Sequence, residues 1–415
     1  MRKILLATTA VAAAAVFGPA PVSAQEAPTV RIGGFFRFNY AFTDQDYQNP
    51  AGTTGIPAGQ RVANLGKSDF TSDMEVHVIV QGKAANGISY GATIEIQDDQ
   101  NREATSGVAT KTSLDTDEMY VWVSSPQAGQ LRFGDEDGVV LGALATGFIT
   151  SFGTGGMDGD WLDNVVGANN RPTYLAGGYL NDSTKVIYTS PQFFGFDFGA
   201  SFGFNDGEGE DSGCEVLGAN CDRYDSSGPF GTYRLRRKNE VQAALRYRGS
   251  FAGVGLAAMA GYIGSGVTKD NRLGSPGSGE GLNVGVFGLQ ATAYGFTVGG
   301  NYAFGRANGG LALLTNTGVD DRDLQQWSAG ATYTMGPVTV GGVYSYGTSA
   351  GSEALPAARK DKIWSVGANY ALAPGLALVA EYTGGSREEP GSNLNGPGRD
   401  KTEVDVFILS TRIAF

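Results

Sequence analysis

The 415-residue chain carries 64 Gly, 2 Cys and one His, and its 42 acidic residues outnumber its 30 basic ones for a formal net charge of −12. Gly at about twice its usual share argues against a helix-rich fold, because each interior helical Gly costs about 1 kcal/mol relative to Ala. The acidic balance excludes a general nucleic-acid binder, one His with two Cys excludes His-rich metal centres and zinc ribbons, and 22 Phe, 18 Tyr and 4 Trp exclude disorder.

Residues 1–24 have the organisation of a secretory signal peptide. Arg2 and Lys3 form a basic start, Ile4 to Phe17 is uncharged and mostly apolar, and Val22-Ser23-Ala24 supplies a small-x-small cleavage pattern. The apolar stretch is too short to span a bilayer. The expected organisation is therefore an exported chain, 25–415, with a single domain.

Alternation of period two then dominates. Val30, Ile32, Phe36, Phe38, Tyr40 and Phe42 share one parity, against Arg31, Gly33, Arg37 and Asn39. The next segment sets Met74, Val76, Val78 and Val80 against Asp73, Glu75, His77 and Gln81, and the one after it sets Ile88, Tyr90, Ala92, Ile94 and Ile96 against Ser89, Thr93, Glu95 and Gln97. Val241, Ala243, Leu245 and Tyr247 oppose Glu240, Gln242, Arg246 and Arg248. Each pattern is a strand with one apolar and one polar face. A soluble sandwich alternates in the same way, so the connectors decide.

Short turns fall at Gly82–Gly87, Pro126–Gly129, Pro191–Gly195, Gly249–Gly253, Tyr294-Gly295, Gly336-Pro337 and Pro374-Gly375. Longer polar connectors lie near 44–69, 98–113, 135–171, 206–237, 264–280, 306–323, 348–361 and 385–401. Seven short turns alternating with eight long loops join sixteen strands. That asymmetry predicts an all-β protein: a 16-stranded antiparallel transmembrane β-barrel in the outer membrane, with short periplasmic turns and long external loops. Closure satisfies every backbone group in lipid and leaves no edge. Parity is ambiguous near 114–124 and 282–293. The uncharged stretches 138–157 and 281–305 are too rich in Gly, Ser and Thr for spanning helices. Tyr344, Tyr346, Trp364, Tyr370 and Tyr382 sit near expected strand ends, where amphipathic rings suit the headgroup region. The final strand sets Phe407, Leu409, Thr411, Ile413 and Phe415 on one parity and Arg412 on the other.

The opening Gly33-Gly34-Phe35-Phe36-Arg37, the run Gln130-Leu131-Arg132-Phe133-Gly134-Asp135 and the terminal Phe415 resemble the Gram-negative general (diffusion) porins, most closely their alphaproteobacterial branch. The resemblance extends over essentially the whole chain after the leader. It implies a homotrimer whose third external loop, about 135–171, folds into the lumen and narrows the pore. It also implies that Phe415 and its alternating neighbours are the signal read by the barrel-assembly machinery. Passive diffusion of small hydrophilic solutes and ions, without catalysis, is the expected function.

In that third connector, Phe133 to Asn170 contains no Lys or Arg but six acids: Asp135, Glu136, Asp137, Asp158, Asp160 and Asp163. Carboxylates lining a narrow pore favour cations; in the other reading they are a solvated or turn-capping set. Val139 to Phe152 is Gly/Ala/Leu/Thr-rich and suited to packing a turn of helix against the wall. Arg31, Arg37, Arg132, Arg246, Arg248 and Arg412 fall on the polar parity and are expected to face the lumen. Opposed to an acidic loop they would create a transverse field; their alternative role is to pair with Glu75, Glu95 or Glu240 and brace the wall.

Arg234, Arg236, Arg237 and Lys238 suit anionic lipopolysaccharide groups or neighbouring acidic loops. Cys214 and Cys221, exported to an oxidising compartment, are expected to form a disulfide across an external loop. Asp206, Glu208, Glu210 and Asp211 are weak Ca²⁺ candidates, as are Asp158 and Asp160, and none matches an EF-hand spacing; no other cofactor is expected. A barrel hydrolase would need His77 as its base, but no nucleophile is patterned beside it. Competing readings are a substrate-specific porin, an enzymatic outer-membrane barrel and a plugged structural barrel.

Overall fold

The computed structural model describes residues 26–46, 66–97, 114–167, 171–177, 180, 182–207, 236–268, 279–314, 323–350, 358–392 and 400–415. The signal segment, Cys214, Cys221, Arg234, Glu208, Glu210 and Asp211 lie outside the described residues.

Sixteen strands form one closed antiparallel sheet. They are β1 (Glu26–Gln45), β2 (Ser68–Lys83), β3 (Ser89–Gln97), β4 (Asp115–Ser125), β5 (Gly129–Asp135) and β6 (Thr184–Thr189). Next come β7 (Phe196–Asn205), β8 (Arg237–Phe251), β9 (Val254–Val267), β10 (Asn283–Ala293) and β11 (Phe296–Arg306). The circuit ends with β12 (Leu324–Met335), β13 (Val338–Ser349), β14 (Arg359–Ala373), β15 (Leu376–Glu388) and β16 (Lys401–Ala414). Every strand pairs with its neighbours in sequence, and β1 closes on β16 from Phe35↔Ala414 to Gln45↔Val404. Gly34 and Phe415 exchange two backbone hydrogen bonds of 3.1 Å and extend this seam to the last residue. An eleven-residue strand such as β11 is about 37 Å long and, tilted near 45°, crosses the ~25 Å apolar band of an outer membrane.

The faces are inverted relative to a soluble protein. Along β8, Val241 and Leu245 are 44% and 50% exposed while Glu240 and Gln242 are 1% and 0% exposed. Phe36, Phe38, Phe196, Leu289, Val298 and Ile413 likewise point outward. Apolar residues that alternate with polar ones and still face out are placed for lipid, and the polar parity is left for the interior. Trp327–Tyr344 and Trp364–Tyr382 pack as tilted pairs on the outer face at 5.5 and 5.1 Å between centroids. No helix among the described residues is long and apolar enough to cross a membrane; the chain crosses with strands.

The short turns follow the expected positions, with boundary residues Gly82 and Gly129 taken into β2 and β5 and one larger adjustment. Gly249 stays in β8, paired with Leu256, and the turn is Ala252-Gly253. There, as at Phe194-Gly195 and Tyr294-Gly295, both turn residues have positive φ, near +50° and then +83° to +91°. That is the geometry of a two-residue type I′ hairpin, whose twist matches the flanking strands. Both segments of ambiguous parity are strands, β4 and β10.

The connector between β5 and β6 is longer than its expected limit at 171 and runs to Ser183. Tyr174, Leu175 and Ala176 fall where that limit would start the next strand, but they are buried inside the barrel with Val139, Leu144, Phe152 and Trp161 of the connector. Two apolar clusters result. Val139, Val140, Leu141 and Leu144 pack with Ile187, Met259, Ile263, Val284, Val286 and Ala303 of the wall. Ile149, Phe152, Met157, Trp161, Val165 and Tyr174 pack with Val343, Ile363, Val404, Val406 and Ile408.

Candidate functional site

The described part of the connector 136–183 lies inside the barrel because the wall has a seat for it. Inward-facing glycines on successive strands remove side chains along its path. Val140 occupies the space above Gly261, where a methyl group would stand 2.8 Å from its Cγ1. Ile149 covers Gly299 and Gly330, with such methyls 3.0 Å from its Cδ1 and 3.1 Å from its Cβ. Phe152 fills the slot over the paired Gly341 and Gly367, at 2.5 Å from Cδ1 and 3.1 Å from Cδ2. Val139 and Thr146 cover Gly199 and Gly288 in the same way. The contact is close-packed, as in a protein core. Val139–Leu144 makes a single turn, closed by Gly142 and Leu144 donating to Gly138 and Val139 carbonyls. Further on, Gly156–Asp158 and Asp160–Asn164 are short 3₁₀ turns.

Polar wall residues fix the register. Glu381 of β15 accepts from the backbone N–H of Thr154 at 2.7 Å and of Gly156 at 3.0 Å, and from Thr154 Oγ1 at 3.2 Å. Asn369 of β14 accepts from Gly153 N–H at 2.5 Å and donates to its carbonyl at 3.1 Å. Gln242 of β8 accepts from Val140 N–H at 3.0 Å. On the return path Thr173 donates to Asp361 at 2.7 Å, a carboxylate also bound by Arg359 and Arg387. These hydrogen bonds meet backbone groups that would otherwise be orphaned in a buried loop.

The six connector carboxylates are distributed over several places. Asp160 is buried and accepts from Arg37 Nη1 at 2.5 Å and Asn39 Nδ2 at 2.8 Å, both on β1. Burial raises its pKa even against the Arg37 charge. Glu136, also buried, accepts from Arg132 at 2.7 Å, and burial again raises its pKa over that opposing charge. Asp135 closes β5, accepting from Thr184 at 2.5 Å. Asp137 lies with Asp182 and Glu118 in a three-carboxylate group. Burial raises the pKa of both Asp137 and Asp182, and the hydrogen bond between them lets the pair share a proton. Asp158 accepts from Tyr174 at 3.1 Å and has a solvent-exposed side chain, yet desolvation by the surrounding walls pushes its carboxyl up to about 7. Asp163 lies near enough to Arg171 to favour that guanidinium's charge.

The six arginines also separate. Arg37 bridges Asp160 and Asp73 (3.3 Å) and stacks over Phe35 at 4.4 Å. Arg412, its cross-strand partner, covers the same ring at 5.0 Å. Arg132 joins Glu136 and stacks over Tyr120 at 5.1 Å. Arg246 and Arg248 share Asp197 on β7, at 2.8 and 2.7 Å, so their charge braces the wall. Arg31 is exposed on β1, opposite Ile79. Arg237 pairs with Glu240 at 2.9 Å and Arg236 lies 3.9 Å from Asp206. His77 faces inward between Glu75 and Glu95.

The arrangement sets cations of β1 and β16 (Arg37, Arg412) against a connector carboxylate, Asp160. Farther round the wall stands an acidic side, where Glu95, Glu136, Asp137 and Asp182 all act on Glu118. Sequence reasoning missed Glu381, Asn369, Gln242, Asp361 and the glycine seat. All lie on the polar parity, and the recurrence of inward Gly at strand centres was a legible signal.

The family profile described as Gram-negative porin matches residues 7–389. Comparison with the curated proteins gave no match. Among solved structures, the anion-selective porin from Comamonas acidovorans aligns with a TM-score of 0.55 at 14% identity, covering 94% of this chain and 100% of that one. OmpT, an outer membrane protein of Vibrio cholerae, aligns at 0.54 and 14% identity, over 95% and 100%. A mutant of the Rhodobacter blastica porin aligns at 0.51 and 16% identity, over 93% and 100%. At such identities the structures share the fold. With the family match over nearly the whole chain and the lumen divided by an inward-folded connector, this chain belongs to the Gram-negative porins and forms an outer-membrane diffusion pore.

Proposed function

We propose that the pore passes small hydrophilic solutes and ions with a mild preference for cations, works as a homotrimer and performs no catalysis. The observation that carries the preference is the acidic side of the lumen: Glu95, Glu136, Asp137 and Asp182 all act on Glu118, and with one proton shared between Asp137 and Asp182 the remaining carboxyls still outnumber the nearby cations Arg132 and Lys185, which are bound within the same group. A field fixed by low-dielectric walls is screened less than in bulk water. Arg37 and Arg412 opposite Asp160 give it a transverse component, in which polar solutes align while apolar ones must displace ordered water. The fold does not set the sign of selectivity, since the Comamonas acidovorans neighbour is an anion-selective porin.

The connector carboxylates Asp137 and Asp158 are proposed as pore-lining, and Asp160 and Glu136 as charges held against the wall. Phe415, exposed beside Gly34 at the seam, is proposed as the element read by the assembly machinery. The test is planar-bilayer conductance with the reversal potential under a KCl gradient. Conductance in groups of three steps with a cation-positive potential is expected. A folded barrel that does not conduct, or one that prefers anions, refutes the respective part.

A further inference from the structure

We propose that Glu75, His77 and Glu95 form a binding site on the lumen wall for a divalent transition-metal ion of the Zn²⁺ or Cu²⁺ class. His77 and Glu75 are two residues apart on β2 and so share a face. Glu95 of β3 stands directly opposite His77 in the ladder, and Glu75 opposite Gln97 places it on the adjoining diagonal. One imidazole nitrogen and one oxygen from each carboxylate all lie within 4.8 Å of one another. His77 Nδ1 is 3.6 Å from Glu95 Oε1, while the other ring nitrogen, Nε2, contacts Glu75 Oε1, so an ion held on Nδ1 recruits Glu75 only once its carboxylate turns away from Nε2.

A separation of 3.6 Å is too long for a hydrogen bond. It matches two donors on a tetrahedral ion at ~2.1 Å from each, which stand about 3.4 Å apart. One imidazole and two carboxylates are ligands that zinc and copper accept, whereas Ca²⁺ and Mg²⁺ take oxygen almost exclusively. All three side chains are half-buried, so water from the lumen completes the coordination. They sit on two hydrogen-bonded strands, which restricts their positions before an ion arrives.

The surroundings favour a cation. Asp73 on β2, Asp117 on β4 and Glu136 on the connector add negative charge around Glu75 and Glu95. On the positive side, Arg37 is engaged by Asp73 and Asp160, and Arg412 acts on Glu75 from β16. On β1, Gly33 lies opposite His77 and puts no side chain beside the imidazole. Binding neutralises up to two charges in the lumen, so it lowers cation preference as well as obstructing the wall.

The chain refolded in detergent micelles is titrated calorimetrically with ZnCl₂ at pH 7.5, with CaCl₂ and MgCl₂ as comparators. Because the readout is binding, its result is independent of whether the barrel conducts. One Zn²⁺ per chain is expected, bound at least tenfold more tightly than Ca²⁺. His77→Asn and Glu95→Gln, each verified as folded by β-type circular dichroism, are expected to weaken it at least tenfold. In bilayers Zn²⁺ is expected to lower wild-type cation preference and leave His77→Asn unchanged. Equal affinity for Ca²⁺, or Zn²⁺ binding unaffected by His77→Asn, overturns the proposal. Binding lost instead in Glu118→Gln or Asp182→Asn would place the ion in the other carboxylate group and overturn it equally.

Discussion

Replacing Phe152 by Ala isolates the docking of the connector from the stability of the barrel. Phe152 is 1% exposed and occupies the slot above Gly341 and Gly367. Neither glycine has a side chain with which to collapse into the vacated volume, so the cavity term is retained in full. Truncating a buried Phe costs about 3–5 kcal/mol. That changes the docked-to-undocked ratio by about two to three and a half powers of ten. The sixteen ladders do not pass through Phe152, so the cost falls on the loop. Single-channel recording is the direct assay, with protease access to the segment around Met157 as a second. Noisier openings, a higher mean conductance and faster cleavage are expected, with the thermal unfolding of the barrel little changed. Wild-type noise, conductance and cleavage in a folded Phe152→Ala variant would refute the view that this slot holds the connector in place.

The remaining predictions concern the polar clamps, the charges and the seam. Glu381→Ala leaves the N–H groups of Thr154 and Gly156 without their acceptor, a loss of about 1–3 kcal/mol for each buried donor; noisier channels are expected, with Glu381→Gln milder. Arg37→Ala strands the buried Asp160 carboxylate, at about 3–5 kcal/mol, and Arg37→Ala combined with Asp160→Asn is expected to recover much of the lost docking in protease protection. The Asp158 pKa of about 7 lies above that of a free carboxyl. The docked loop therefore binds more protons between pH 4 and 7, and its docking weakens as pH rises through that window and levels off above it. Over the same interval the lumen gains negative charge, so cation preference measured by reversal potential is expected to rise from pH 5 to 8, and to rise less in Asp158→Asn. Deleting Phe415 removes its two backbone bonds to Gly34 at the closing seam and is expected to lower the folded yield in refolding followed by gel mobility.

Much of this protein was legible in residue order alone. Val30 to Phe42 and Glu240 to Tyr247 declare strands because side chains alternate with period two. Short and long connectors in regular succession declare the strand number and the two unlike ends of a barrel. Those are local properties, and the tertiary structure follows them to within a few residues, with the exception of Tyr174–Ala176. Its three residues are apolar enough for a strand, but the wall beside it is already fully paired and the segment packs in the lumen.

What the chain order left undecided is who meets whom across the lumen. Asp160 and Arg37 are 123 positions apart, and Gly153 and Asn369 216 apart. Neither pairing has a sequence signature. Arg37 and Arg246 look alike as polar-parity arginines, yet one meets the connector and the other is held by Asp197. The difference arises from the path of the connector, and that path is set by a line of glycines distributed over Gly199 to Gly367. A period within each strand is read locally. A groove made by one residue from each of many strands exists only once the sheet has closed.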